Sequence, residues 1–189
     1  MKILALEYGH SVGSVDESMA CYPDSTLIRN NDDFYIPNFS QRIVAYVGIY
    51  LHFNKIGKCV EPRFTNRYYN EVGCAIKFMA ADVIERNRQC GTATDIACSF
   101  DASLAISNER VEVPADYEFT ALLNGKPIEI DASSFASISD LLAVSTKYFT
   151  VKIGDLFFLP LTQQPVAVKV GDVFDVSLQG KQLLTCTIR

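Results

Sequence analysis

Long runs of Lys or Arg are absent from this chain, so it has nothing with which to track a phosphate backbone, and no nucleic-acid partner is expected. Histidine is scarce, at two residues, and none of the six cysteines forms a CxxC pair, which leaves no tetrahedral zinc ligand set. Scattered cysteines at this length need no disulfide framework and read as thiols in a reducing cytoplasm. Met1 to Leu6 carries one Lys and an apolar stretch stopped by Glu7, too brief for a signal-peptide core or a membrane span. A cytoplasmic protein without membrane attachment is the expectation. Linkers, charge blocks and low-complexity segments are also missing, which predicts one domain over residues 1–189.

What is present suffices for a core: 49% of the 189 residues are hydrophobic and 11% aromatic, with 17 basic against 22 acidic residues and a net charge of -5. Lys2 to Leu6 reads as a strand. Ile43 to Phe53, IVAYVGIYLHF, is β-branched and aromatic throughout, as in a strand buried on both faces or a long hairpin arm. Asn54 to Gly57 turns the chain, Thr65 to Val72 predicts a short helix, Ala75 to Met79 a strand, and Ala81 to Arg88 a helix ended by Gly91. Asn124-Gly125 and Gln179-Gly180 mark two hairpins, and the helical spacing from Ile138 to Phe149 predicts one amphipathic helix between them. VKIGDLFF (151–158) and VKVGDVFD (168–175) each place Gly-Asp before a strand, which suggests two similar turns rather than a repeat architecture.

Gly9-His10-Ser11-Val12-Gly13 matches the GxSxG nucleophile elbow, but no helical pattern follows it and the only later histidine is His52, so a flexible loop is the better reading. Cys98 lies in a polar segment and is a candidate nucleophile, with a half-buried structural thiol as the alternative. Lys77 alternates with Ile76 and Phe78 in an apolar strand; its face meets solvent, the reading periodicity favours, or lines a pocket with a functional cation.

From Pro23 onward the chain resembles the fumarylacetoacetate hydrolase family, closest to its compact bacterial members. The likeness runs through Pro23 to Leu27, Asn30 to Pro37, Phe39-Ser40, the strand from Ile43, Arg67-Tyr68-Tyr69, Phe100-Asp101, Leu123-Asn124-Gly125, Gly154 to Phe158 and Gly171-Asp172, in family order and spacing. The resemblance implies an α+β, mostly β domain, the family's mixed β-roll with a few short helices, and a dimer. Two apolar stretches, Ala45 to Phe53 and Leu156 to Leu161, also suggest an interface.

Enzymes of this family hold Mg²⁺, Mn²⁺ or Ca²⁺ with three carboxylates, two Glu of a His-x-Glu-x-Glu strand and the first Asp of Asp-x-Thr-Ala-Arg-Asp. The matching positions here are Val44, Tyr46 and Gly48 in the first motif, and Lys77 to Asp82 in the second. Lys77 replaces the metal-binding Asp, Ala81 replaces the Arg, and Asp82 alone survives. The family's active-site Lys appears as Cys98, its Thr-Gly-Thr-Pro loop as Leu159 to Thr162, and its N-terminal His falls near Gly13. Exchanging three carboxylates and a divalent ion for one ammonium moves the local charge from about -1 to about +1.

No cofactor is therefore expected, and the resemblance implies pocket positions at Tyr22, Asp24, Tyr46, Gly48, Lys77, Ala81, Asp82 and Cys98. The leading expectation is a catalytically inactive binding or partner subunit, as a homodimer or paired with an active relative. Its pocket either binds an anionic small molecule or is filled by Tyr46 and Tyr22. The first alternative is a metal-independent hydrolase, tautomerase or decarboxylase of a β-keto acid, using Cys98 or Lys77 with Tyr46, His10 or His52 as proton carriers. The second is a metal-dependent carbon-carbon hydrolase that has re-recruited Glu7, Asp24 or Asp82.

Overall fold

Two long strands organise the molecule because most of their residues are buried on both faces, which only the middle of a sheet allows. They are β4 (Ile43–Phe53) and β5 (Tyr69–Ala80), paired antiparallel along their length, with Tyr46 opposite Lys77 and Gly48 opposite Ala75. The computed structural model describes residues 1–6 and 19–189. The GxSxG segment, Glu7, His10 and Gly13 fall outside the described residues.

The other elements, in chain order, are β1 (Lys2–Leu6), β2 (Met19–Pro23), β3 (Leu27–Ile28), α1 (Ala81–Gln89), α2 (Asp95–Cys98), β6 (Leu104–Ile106), β7 (Val111–Glu112), β8 (Phe119–Leu123) and β9 (Lys126–Pro127). Then follow α3 (Ile138–Tyr148), β10 (Leu156–Pro160), β11 (Val166–Ala167), β12 (Val173–Leu178) and β13 (Lys181–Thr187). Among the described residues the larger sheet runs β2-β1-β10-β4-β5-β6-β3, with β11 on β4 and β7 on β5. It is mixed, since β1 pairs β10 and β3 pairs β6 in parallel, and it curls into a half-barrel. A second, antiparallel sheet runs β13-β12-β8-β9. The α+β, mostly β expectation agrees with this architecture. Among the described residues no helix is long and apolar enough to cross a membrane.

One face of β5 joins the sheets. Phe78 stacks on Phe34 with ring centroids 3.8 Å apart and meets Phe174 of β12 edge-on at 6.3 Å. Both predicted hairpins form, Asn124 and Gly125 having φ of 52° and 75° and Gln179 and Gly180 of 54° and 69°, the left-handed pair that a two-residue turn requires. The twin Gly-Asp turns are alike in detail. Asp155 accepts the Lys152 amide at 2.7 Å and Asp172 the Lys169 amide at 2.9 Å. Asp155 also receives the Lys2 backbone amide and ammonium, tying β1 to the start of β10.

Two expectations fail. The helix read over Thr65 to Val72 is a 3-10 turn at Pro62–Arg67 followed directly by β5, which begins six residues before the predicted strand. Pairing with β4 and β7 draws the polar residues Asn70 and Glu71 into the strand. The stretches Ala45 to Phe53 and Leu156 to Leu161 are consumed by the chain's own core, with Val47, Ile49, Leu51, Phe157, Leu159 and Leu161 all 0% exposed, so they do not argue for a partner.

Candidate functional site

Strand alternation places Tyr46, Gly48, Tyr50 and His52 of β4 on one face of the half-barrel, beside Lys77, Ala75, Gly73 and Glu71 of β5. This face carries the positions that the family resemblance makes chemical. At one end lies Lys77, which is 2% exposed. The alternation with Ile76 and Phe78 is as expected, but the face it selects is not solvent, because side chains from outside β5, among them Tyr22, Phe100 and Ser103, pack over the lysine tip.

The Lys77 ammonium donates to Ser103 Oγ at 2.8 Å, to the Phe78 carbonyl at 3.2 Å and to the Ser103 carbonyl at 3.3 Å. It also stands 4.7 Å from the Tyr22 ring centroid and 5.7 Å from that of Phe100. β6 makes this possible: Leu104 pairs with Lys77, and the preceding Ser103 accepts the Phe78 amide at 2.7 Å, which fixes its hydroxyl beside the lysine tip. Tyr46 is 7% exposed and Tyr22 is 4% exposed, so both rings are part of the packing.

Gly48 is closed by backbone. A Cβ there would lie 2.0 Å from the Leu159 carbonyl oxygen and 2.8 Å from Pro160 Cα. Further along the face, Gly73 lets the Tyr50 ring cross it, a Cβ at Gly73 meeting Tyr50 Cε1 at 2.4 Å, and the Tyr50 hydroxyl donates to the Ser107 carbonyl at 2.8 Å. Burial pushes the Tyr50 hydroxyl's pKa above the usual phenol value, which keeps it protonated.

Tyr22, Tyr46, Gly48 and Lys77 are thus buried, whereas Asp24 is exposed, Ala81 and Asp82 are half-buried in α1, and Cys98 is buried in α2. Asp82 is in the first turn of α1, where it accepts the Ser40 hydroxyl at 2.6 Å and the Gln41 amide at 2.9 Å. Slight burial opposes its charge, but these hydrogen bonds win and hold the carboxyl below its ordinary value. Ala81 precedes it, its amide on the Arg42 carbonyl at 2.9 Å. Asp24 lies in an exposed 3-10 turn, its carboxylate 3.9 Å from the Met1 amine. Cys98 ends α2, is 2% exposed, and packs with that helix against β5. His52 is at the opposite end of the β4 face, with Nδ1 3.8 Å from Glu71 Oε2.

A hard divalent cation needs several oxygens, carboxylates foremost. The positions that would supply them are a phenol, a glycine without room for a side chain, and an ammonium; these residues do not fit such an ion. Among the described residues no three His, Cys, Asp or Glu side chains gather to hold a metal. Sequence reasoning missed Ser103, Tyr50 and Gly73. The period-2 pattern from Tyr46 to His52 was a signal for Tyr50, while Ser103 gave none, being brought to Lys77 only by the β5–β6 pairing.

No family model and no curated protein matches the chain. Solved structures do. A proposed isomerase of Escherichia coli superposes with a TM-score of 0.87 at 17% identity, covering 100% of this chain and 91% of the other. A proposed fumarylacetoacetate hydrolase family protein of Yersinia pestis CO92 gives 0.83 at 17%, covering 100% and 92%. Fumarylpyruvate hydrolase of Pseudomonas aeruginosa, solved in complex with Mn²⁺ and pyruvate, gives 0.83 at 14%, covering 99% and 88%. From end to end, the described chain has the fold of the fumarylacetoacetate hydrolase family.

Proposed function

We propose that this protein is a catalytically inactive subunit on the fumarylacetoacetate hydrolase scaffold, in which a lysine ammonium has replaced the divalent ion as the cation of the half-barrel. The observation that carries this reading is the Lys77 environment: its partners among the described residues include two carbonyls, a hydroxyl and two aromatic faces, all suited to a buried cation. The ammonium joins β5 to the start of β6, and Tyr46 and Tyr22 take up space that a substrate would need. Of the two expectations for this pocket, filling by tyrosine is the better supported. Cys98 is buried at the end of its helix, which does not favour it as a nucleophile.

Calorimetric titration with Mg²⁺, Mn²⁺ and Ca²⁺ at micromolar protein is expected to give no stoichiometric heat. Saturable binding of any of the three, with hydrolysis of an acylpyruvate, would refute the proposal.

The subunit role further proposes a cytoplasmic dimer, either of two copies or with an active relative. Support comes from Ile56 and Ile153, 66% and 67% exposed, which flank the Gly57–Val151 bridge and are available for a partner to cover. Sedimentation equilibrium is expected to return about twice the 21.0 kDa chain mass at micromolar concentration. A monomer that remains single when mixed with an active relative would remove this part of the reading.

A further inference from the structure

The face that holds Lys77 does not fill completely. At its other end, beside His52, lies a cavity of about 290 Å³ whose walls include Arg29, Tyr50, His52, Ser107, Asn108 and Arg110. Two arginines and a histidine thus line one small space. Glu71 opposes part of this charge: its Oε2 is 2.9 Å from Arg110 Nε and 3.8 Å from His52 Nδ1. Arg29 makes no ion pair among the described residues. Burial and the nearby Arg110 hold the imidazole of His52 below its ordinary pKa, against the pull of Glu71, so near neutral pH it is an uncharged donor and acceptor. Two arginines against one glutamate leave a net excess of about one positive charge, in a concavity large enough for a small molecule.

The rim is also braced. Asn108 Nδ2 donates to Asn30 Oδ1 at 2.8 Å and the Asn30 amide returns to Asn108 Oδ1 at 3.0 Å, which ties the segment carrying Arg29 to the segment carrying Arg110. Arg110 is held from below by Glu71, and β7, which follows it directly, pairs with β5. One nitrogen of Arg110 is used on Glu71, and a guanidinium carries five N–H donors in a fixed fork. Tyr50 forms the floor, its hydroxyl turned onto Ser107.

We infer that this cavity is a binding site for a small oxyanion, a carboxylate or phosphate group gripped between the guanidinium groups of Arg29 and Arg110. The site is separate from the Lys77 cluster, and the inference does not depend on the half-barrel being inactive. Arginine forks match both planar carboxylates and tetrahedral phosphates, so the shared chemistry is an anion with at least two oxygens presented together.

The test is calorimetric and thermal-shift titration of the whole protein with inorganic phosphate, oxalate and pyruvate at constant ionic strength, with chloride as the control. At least one of the three is expected to bind saturably and raise the melting temperature. Arg29→Gln, at an exposed position with no ion pair among the described residues to lose, is expected to keep the fold and weaken that binding about tenfold, with partial recovery in Arg29→Lys. Arg110→Gln should weaken it similarly. Response to phosphate alone identifies a phosphoryl ligand, and response to oxalate or pyruvate alone an organic acid; both support the site. If no anion exceeds chloride, or Arg29→Gln binds as the native protein does, the inference is wrong.

Discussion

Replacing Gly48 with alanine is expected to destabilise the protein by more than about 3 kcal/mol, at the upper end of overpacking effects. The added Cβ would sit 2.0 Å from the Leu159 carbonyl oxygen, a backbone atom that no rotamer change can move. β10 is not free to retreat. It pairs with β1 on one side and β4 on the other, and just beyond its end the Leu161 amide donates to the Val47 carbonyl at 2.9 Å while Thr162 Oγ1 accepts the Val47 amide at 3.2 Å. Against a typical total of about 5–15 kcal/mol, such a loss should bring the urea midpoint down sharply or leave the variant insoluble. Glutamate is larger still, so restoring Glu at 46 and Asp at 77 would return two carboxylates and never the third. An alanine variant with a native midpoint would show that β10 can move away, and with it the metal position could be rebuilt.

This close approach explains part of what could not be read from the sequence. Gly48 in an apolar strand signals a close backbone neighbour, but nothing in IVAYVGIYLHF says which strand it is. The partner, β10, lies over 100 residues later and pairs through Pro160, a long-range choice. Local signals succeeded where local chemistry decides: the hairpin pairs at Asn124-Gly125 and Gln179-Gly180, the Gly-Asp turns, and the amphipathic α3 with Leu141 and Leu142 buried. They failed at Tyr69 to Val72, where polar residues belong to a strand only because β4 and β7 pair with it there. The candidate site was legible through the resemblance as a set of positions. Its filled state was not, because Tyr22 of β2 and Phe100 and Ser103 of the α2–β6 connection reach Lys77 from distant parts of the chain.

Lys77 gives the second large effect, and its direction is set by the electrostatics of those neighbours. The ammonium faces two carbonyl oxygens, the Ser103 hydroxyl and the ring faces of Tyr22 and Phe100, all electron-rich. Lys77→Met preserves length and packing but removes the ammonium donor from these acceptors in a site that excludes water, the Ser103 carbonyl keeping the Phe78 amide; a loss of about 1–3 kcal/mol is expected. Lys77→Asp restores the residue type that the family resemblance implies at this position, yet it sets an anion against the same carbonyls and π faces after desolvation. It is expected to lose more than about 4 kcal/mol or not to fold, since an uncompensated buried charge is among the most damaging changes a core can receive. Urea denaturation of the two variants beside the native protein measures the order. Two-state curves ranking native, methionine, then aspartate support a site organised around a cation. If aspartate is tolerated as well as methionine, the ammonium is not what these groups are arranged to hold. The lysine would then be a filler of volume, and the replacement of the metal by an ammonium would lose its physical basis.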